Sequence, residues 1–202
     1  PYANPSDLTT FYDNHDMARM DATDDGIIDA HHWLFTARGI PVVYYGSEMG
    51  FMRGTGEHAG NRNYFGVDGI ATARQHPIHA ALARIATLRR ETPALQRGLQ
   101  FNLRMQDRQA AFYRVLLDGE TQQTALVLLN ASDAEETLTL SAMVEPGVWT
   151  DAFSGETINL TDQLLLPVPA HGIRVLLKYG ALQNSALITA LRAQQAQQTV
   201  RK

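Results

Sequence analysis

The chain has no cysteine in its 202 residues, which excludes a disulfide framework and a thiolate metal site and leaves the redox compartment open. It has no cluster of lysine and arginine either. With 17 of these against 21 aspartates and glutamates, the formal net charge is −4. Binding phosphates needs a concentrated basic footprint, so a nucleic-acid partner is not expected. No run approaches the roughly 18 apolar residues of a membrane span, so no membrane partner is expected. No signal-peptide pattern is present and the chain opens on Pro1 rather than Met, so sequence upstream is expected.

The length admits one or two domains. Residues 1–7, with Pro1, Asn4, Pro5 and Asp7, read as an extended or turning lead-in. Residues 8–14 then form a short β-branched and aromatic run that ends abruptly in Asp13, Asn14, His15 and Asp16, two carboxylates, an amide and an imidazole. In α/β barrels the carboxyl ends of the strands face the substrate, so polar groups there read as catalytic. On the residues alone, a polar strand end or turn is the commoner arrangement. Acids in the loop 21–26 favour the positive end of a helix. Ile27, Ile28, His31, Leu34 and Phe35 recur at three- and four-residue spacing, predicting an outer amphipathic helix over 26–38 closed by Gly39. His31 and His32 point about 100° apart on that helix and lack further close-spaced ligands. His15 and His58 are likewise separated, and no metal site is expected in this chain.

Ile40 to Tyr45 is a continuous apolar run, as in a strand buried on both faces. Its end, Gly46-Ser47-Glu48, is expected to face the site, and a long glycine-punctuated loop follows, carrying Arg53, Glu57, His58, Asn61, Arg62, Asn63 and Tyr64; loops above about 15 residues are usually functional. Residues 77–90 predict a helix opened by Pro77 and ended by Thr92-Pro93. From Leu99 the periodicity changes from helical to alternating. About eight short strands are read, separated by turns that include Asp118-Gly119, 130–133, 145–147, 154–155 and 171–172, and an antiparallel sandwich is the economical arrangement. Beyond Gly180, Leu187, Ile188 and Leu191 mark one stripe of a short docking helix, with a frayed tail as the equal alternative.

The stretch Phe11-Tyr12-Asp13-Asn14-His15-Asp16-Met17-Ala18-Arg19 resembles the motif on the seventh barrel strand of the α-amylase superfamily, glycoside hydrolase family 13, above all in its cyclodextrin glucanotransferase-like branch. Gly39-Ile40-Pro41-Val42-Val43-Tyr44-Tyr45-Gly46-Ser47-Glu48 resembles that family's eighth strand, at the right distance for a strand-helix-strand unit. The resemblance implies α/β plus all-β architecture: the C-terminal quarter of a (β/α)8 barrel over 1–97, an antiparallel β-sandwich C domain over 98–180, and a tail over 181–202. It implies a retaining α-1,4-glucan hydrolase, acting on starch or maltodextrin, and a secreted or periplasmic one in preference to a cytoplasmic one.

Retaining hydrolysis needs a nucleophilic carboxylate and a second carboxyl as acid and base. In the family these lie on strands four and five, and nothing in this chain resembles them. The chain is therefore expected to be a C-terminal fragment, inactive alone, whose partners are an α-glucan and the rest of the barrel. By the resemblance Asp16 is the third acid, a transition-state stabiliser, and His15 and Arg62 bind sugar, with Asp13, Asn14, Arg19 and Glu48 in support. Arg62 matches an Asn-Arg pair that in cyclodextrin glucanotransferases follows an Asp-Pro; here Glu57-His58-Ala59-Gly60 precedes it, and an ordinary surface ion pair is an equal alternative. The family allows a calcium ion in the full-length protein, bound outside this sequence. Two alternatives stay open: a cyclodextrin glucanotransferase or 4-α-glucanotransferase, and a non-catalytic amylase-like binding or scaffold protein. Because cyclodextrin glucanotransferases usually carry two further β domains after the C domain, the short stretch beyond residue 180 favours hydrolysis.

Overall fold

The computed structural model describes residues 5–118 and 121–200. The lead-in at Pro1 and Asn4 and the turn at Gly119 lie outside the described residues. After a 3-10 turn at Pro5–Asp7, β1 (Thr9–Thr10) runs through a polar loop to α1 (Asp24–Thr36), and the chain returns as β2 (Ile40–Pro41). β1 and β2 pair in parallel, Thr9 opposite Ile40 and Thr10 opposite Pro41. Helix α1 starts where the Thr23 hydroxyl accepts the Gly26 N–H at 3.1 Å, with Asp24 and Asp25 at the positive end of the helix. It stops at Thr36, two residues before the periodicity ends, because Ala37 is already extended. Gly39 then turns with φ +108, and a Cβ there would collide with Thr10 and the Leu8 carbonyl.

The parallel ladder is shorter than the apolar runs predict. Ile40 to Tyr45 pairs with β1 over its first two residues, and Ile40, Val42 and Tyr45 are exposed rather than buried on both faces. Burial on both faces requires flanking strands and a layer on each side, and β1 is the one neighbour of β2 among the described residues. The long loop also holds more structure than its glycines suggest: a 3-10 turn at Ser47–Met49 and the helix α2 (Gly66–Ala73). Helix α3 (Pro77–Glu91) is followed directly by a second proline-initiated helix, α4 (Pro93–Arg97), where the sequence reads a simple stop.

The eight strands read from the alternation all form: β3 (Leu99–Gln106), β4 (Gln109–Asp118), β5 (Thr121–Asn130), β6 (Glu136–Leu140), β7 (Gly147–Asp151), β8 (Thr157–Leu160), β9 (Leu164–Val168) and β10 (Gly172–Tyr179). They make an antiparallel six-stranded sheet in the order β3-β4-β5-β10-β7-β8, faced by the antiparallel pair β6-β9. The large sheet is buried on both faces. Along β4 and β5, Tyr113, Val115, Leu126 and Leu128 turn towards β6, β9 and Trp149, whereas Phe112, Leu116, Val127 and Leu129 turn towards Ile85 and Leu88 of α3 and Leu95 of α4. That period-two division explains why both strands are almost continuously apolar.

The last helix, α5 (Ser185–Val200), is docked by Leu187 and Leu191, both buried in the Trp149 core. Its start is fixed by the fully buried Glu145 carboxylate, which accepts the backbone N–H groups of Gln183 and Asn184 at 2.9 Å each and the ammonium of Lys178. The opposite face of the sheet is tied to α1 by two buried arginines. Arg89 donates to the carbonyls of Phe35, Ala37 and Gly39, and Arg114 of β4 donates to Thr36 O at 2.6 Å and to Gly98 O at 3.2 Å. Helix α1 has no basic residue in its own last turn, and these guanidiniums satisfy its open carbonyls instead. Burial and the neighbouring Arg89 pull the Arg114 pKa down to about 9.

Candidate active site

The polar residues at the end of β1 separate into a buried tier and an exposed tier. Asp13 is buried and accepts from Met20 N–H at 2.9 Å and from the Ser47 hydroxyl at 2.8 Å, joining the segment after β1 to the segment after β2. Arg19 is buried too. Its Nε donates to Gly60 O at 3.1 Å and its Nη1 to Tyr45 O at 2.8 Å, while the guanidinium lies 4.7 Å from the Tyr44 ring centre and 5.1 Å from that of Tyr45. Asn14 shapes the turn, its Oδ1 accepting the Asp16 N–H at 2.7 Å.

In the exposed tier His15, Asp16 and Arg62 converge. Arg62 Nη2 donates to Asp16 Oδ1 at 2.9 Å and Arg62 Nε to His15 O at 3.2 Å, while His15 Nε2 lies 3.1 Å from Asp16 Oδ2. The three side chains are between 56% and 65% exposed. Ion pairs this open contribute about 0–1 kcal/mol to stability, so the cluster is not explained by what it adds to the fold. Its backbone is held from beneath by Asn61, fully buried, whose Nδ2 donates to His15 O at 2.6 Å and Met17 O at 3.2 Å while its Oδ1 accepts the His58 N–H at 3.0 Å.

Glu48 sits half-buried on the 3-10 turn near Tyr12. Burial, and then the charge of Asp13, push the Tyr12 phenol well above its ordinary pKa, with Glu48 adding to the rise. The Tyr12 hydroxyl lies 2.7 Å from His31 Nε2, and burial pulls the pKa values of His31 and His32 down to about 4. Both imidazoles are therefore neutral at pH 7 and give this region no charge. Among the described residues no three His, Asp or Glu side chains come together as a metal-binding group. Beyond Arg62, Tyr64 is largely exposed and stacks on Phe65 at 6.5 Å, and Phe65 stacks in turn on Tyr45 at 5.8 Å.

All the residues singled out at the end of β1 thus share one neighbourhood, joined there by Arg62. Sequence reasoning missed Ser47 as the partner of Asp13, Tyr12 as the partner of His31, and Asn61 as anything beyond a neighbour of Arg62. Each partner is separated from its target by 19 to 46 residues, and the Asn61-Arg62 pair was the one local signal.

No protein-family model matches the chain. It is 28% identical to an α-amylase of Streptomyces lividans over 221 aligned residues, covering 91% of this chain and 24% of that protein. It is 35% identical to a cyclomaltodextrin glucanotransferase of Geobacillus stearothermophilus over 100 residues, covering 48% of this chain and 13% of that one. Among solved structures it resembles a cyclomaltodextrin glucanotransferase described as having a three-domain ABC distribution, with a TM-score of 0.68 and 25% identity over 89% of this chain and 38% of that one. The chain therefore spans less than half the length of each of these proteins. The β-rich fold resembles the corresponding part of amylase-type glycoside hydrolases. Within that class, the similarity is to the α-amylase superfamily, glycoside hydrolase family 13, with an affinity to its cyclodextrin glucanotransferase-like members.

Proposed function

We propose that this chain is the C-terminal part of a retaining α-1,4-glucan hydrolase. In this reading residues 1–97 complete a (β/α)8 barrel, 98–180 form the C domain, and 181–202 are a tail that docks on that domain through Leu187 and Leu191. The missing strands of the barrel supply the nucleophile and the acid/base, and they cover the edges of β1 and β2 where Phe11, Ile40 and Val42 are exposed. The length of the relatives supports this, since the matched region is about a quarter of the Streptomyces amylase. A calcium ion in the full-length protein would be held by segments outside this chain.

The observation that carries the reading is the convergence of His15, Asp16 and Arg62 in an open position at a strand end. Cleavage of a glycosidic bond passes through a positively charged oxocarbenium-like state. A carboxylate held on both oxygens, one by Arg62 and the other by His15, presents fixed negative charge without reorganising as that state forms. The row Tyr45, Phe65 and Tyr64 offers flat rings of the kind that stack on sugar faces.

Asp16→Asn in the full-length protein keeps the shape and removes the charge. Turnover of a linear α-1,4-glucan should fall on the order of a hundredfold or more, with KM little changed. Near-normal turnover in a natively folded variant would overturn the role of Asp16. The isolated 202-residue chain should release no reducing sugar from starch.

A transferase making cyclic glucans is the second reading, favoured by the 35% identity to the Geobacillus glucanotransferase. The expectation that such enzymes carry extra C-terminal β domains does not separate the two, because the three-domain glucanotransferase shares this fold. Chromatography of the products distinguishes them: cyclic dextrins from linear maltodextrin support transfer, linear oligosaccharides alone support hydrolysis.

A further inference from the structure

We infer that Asn61 is the positioning residue for Asp16, an inference that rests on the reading of Asp16 given above. The Asn61 amide donates to the carbonyls of His15 and Met17, the residues on either side of Asp16. The Asp16 N–H is held by Asn14, so the peptide joining His15 to Asp16 is fixed at both its oxygen and its nitrogen, and the Met17–Ala18 peptide beyond it is fixed at its oxygen. Asn61 is fully buried, which leaves none of its side chain open to a sugar. It is itself held at three points: His58 N–H on its Oδ1, the Tyr44 hydroxyl on its carbonyl at 2.6 Å, and Arg19 on the preceding Gly60 carbonyl.

The next residue, Arg62, engages the Asp16 carboxylate. One dipeptide therefore sets both the backbone position of Asp16 and the direction of its charge. A side chain whose amide donors are both spent on a turn 44 to 46 residues away is an indirect way to stabilise a surface loop, but a direct way to hold one carboxylate still. Displacing a catalytic group by about 1 Å can cost on the order of a hundredfold in rate.

The test is a double-mutant cycle in the full-length protein, reading kcat and KM on a linear maltooligosaccharide together with the unfolding midpoint of each variant. Asn61→Ala should lower kcat by about ten- to a hundredfold with KM changed less than threefold, and should lower it less than twofold when Asp16 is already Asn. A loss in kcat of equal size in both backgrounds would show that Asn61 supports the fold in general, and would overturn the inference, as would unchanged kcat for Asn61→Ala. Near-normal turnover of Asp16→Asn alone would remove the reading of Asp16, and this inference with it. Because alanine leaves a hole, Asn61→Asp provides a second variant of the same size. Its carboxyl can donate to the His15 carbonyl only when protonated, so its kcat relative to the unsubstituted enzyme should rise as pH falls. A flat ratio across pH would count against the inference.

Discussion

The two ends of the chain are built by different means. From Leu99 to Tyr179, order is carried by long backbone ladders: β4 pairs with β5 through ten residues and β5 with β10 through eight. From Thr9 to Arg62, the parallel ladder has two pairs, and outside helix α1 and the short turns the segments are tied largely by side chains reaching backbone or one another, as with Asp13, Arg19, Arg53 and Asn61. A ladder divides its energy among many similar bonds. A side-chain tie concentrates it in one residue, whose loss leaves buried groups without partners. The half that carries the candidate site should therefore be the more sensitive to point changes in polar groups, and the sandwich the more sensitive to changes in volume.

Trp149 probes the second half of that statement most strongly. It is fully buried, stacks on Tyr113 with ring centres 6.2 Å apart, and donates to Glu145 O at 3.1 Å. Trp149→Ala should cost about 3–5 kcal/mol in equilibrium denaturation; a cost below 1 kcal/mol would show that the sandwich core tolerates a large void.

Acid should separate the two halves next. His31 and His32 have folded pKa values near 4 because burial opposes their charging, below the ordinary value of about 6.5. The unfolded chain then binds more protons between those limits, so the stability these residues contribute is full above about pH 6.5 and is lost as pH falls towards 4. The expected loss is roughly 2–3 kcal/mol for each. Hydrogen exchange should show α1 opening before β4 and β5 as pH drops, and simultaneous opening would erase the contrast.

The smallest effect lies where the halves meet. His171, in the turn before β10, places Nδ1 2.7 Å from Asp29 of α1 and Nε2 2.9 Å from Asp133, with Arg108 3.7 Å from Asp133 and Asp25 also within electrostatic reach. Its hydrogen bonds to the two carboxylates hold its pKa above the ordinary value. The contribution is present below about pH 6.5 and is lost as pH rises through the raised folded pKa. The unsubstituted chain should thus be more stable than His171→Gln at pH 6, with the gap narrowing by pH 8. A gap that does not change with pH would show that the bridge acts as neutral hydrogen bonds only.

The same contrast governs what was legible in the sequence. The sandwich strands announce themselves by alternation over neighbouring residues, and all eight form. The motif around Asp16 is equally local and names Asp13, Asn14, His15, Asp16 and Arg19, with Glu48 from the second motif. The partners that organise those residues are not local. Nothing in Ser47 or Asn61 as residue types indicates which distant group each will meet. The exposed Ile40 and Val42 show a related limit: an apolar run shows that a segment can be buried, whereas its burial depends on what packs beside it. The docking of α5 shows the opposite case, in which Leu187 and Leu191 carried the right stripe.

The bond from Arg114 to Thr36 has a consequence in time. The two residues are 78 positions apart, so during synthesis α1 is made well before this second guanidinium at its end exists. At about 5–20 residues per second that interval is roughly 4–16 s, during which the Thr36 carbonyl must rely on water. The strand–helix–strand unit can begin to form on the ribosome, but the end of its helix is completed by a strand of the following sheet.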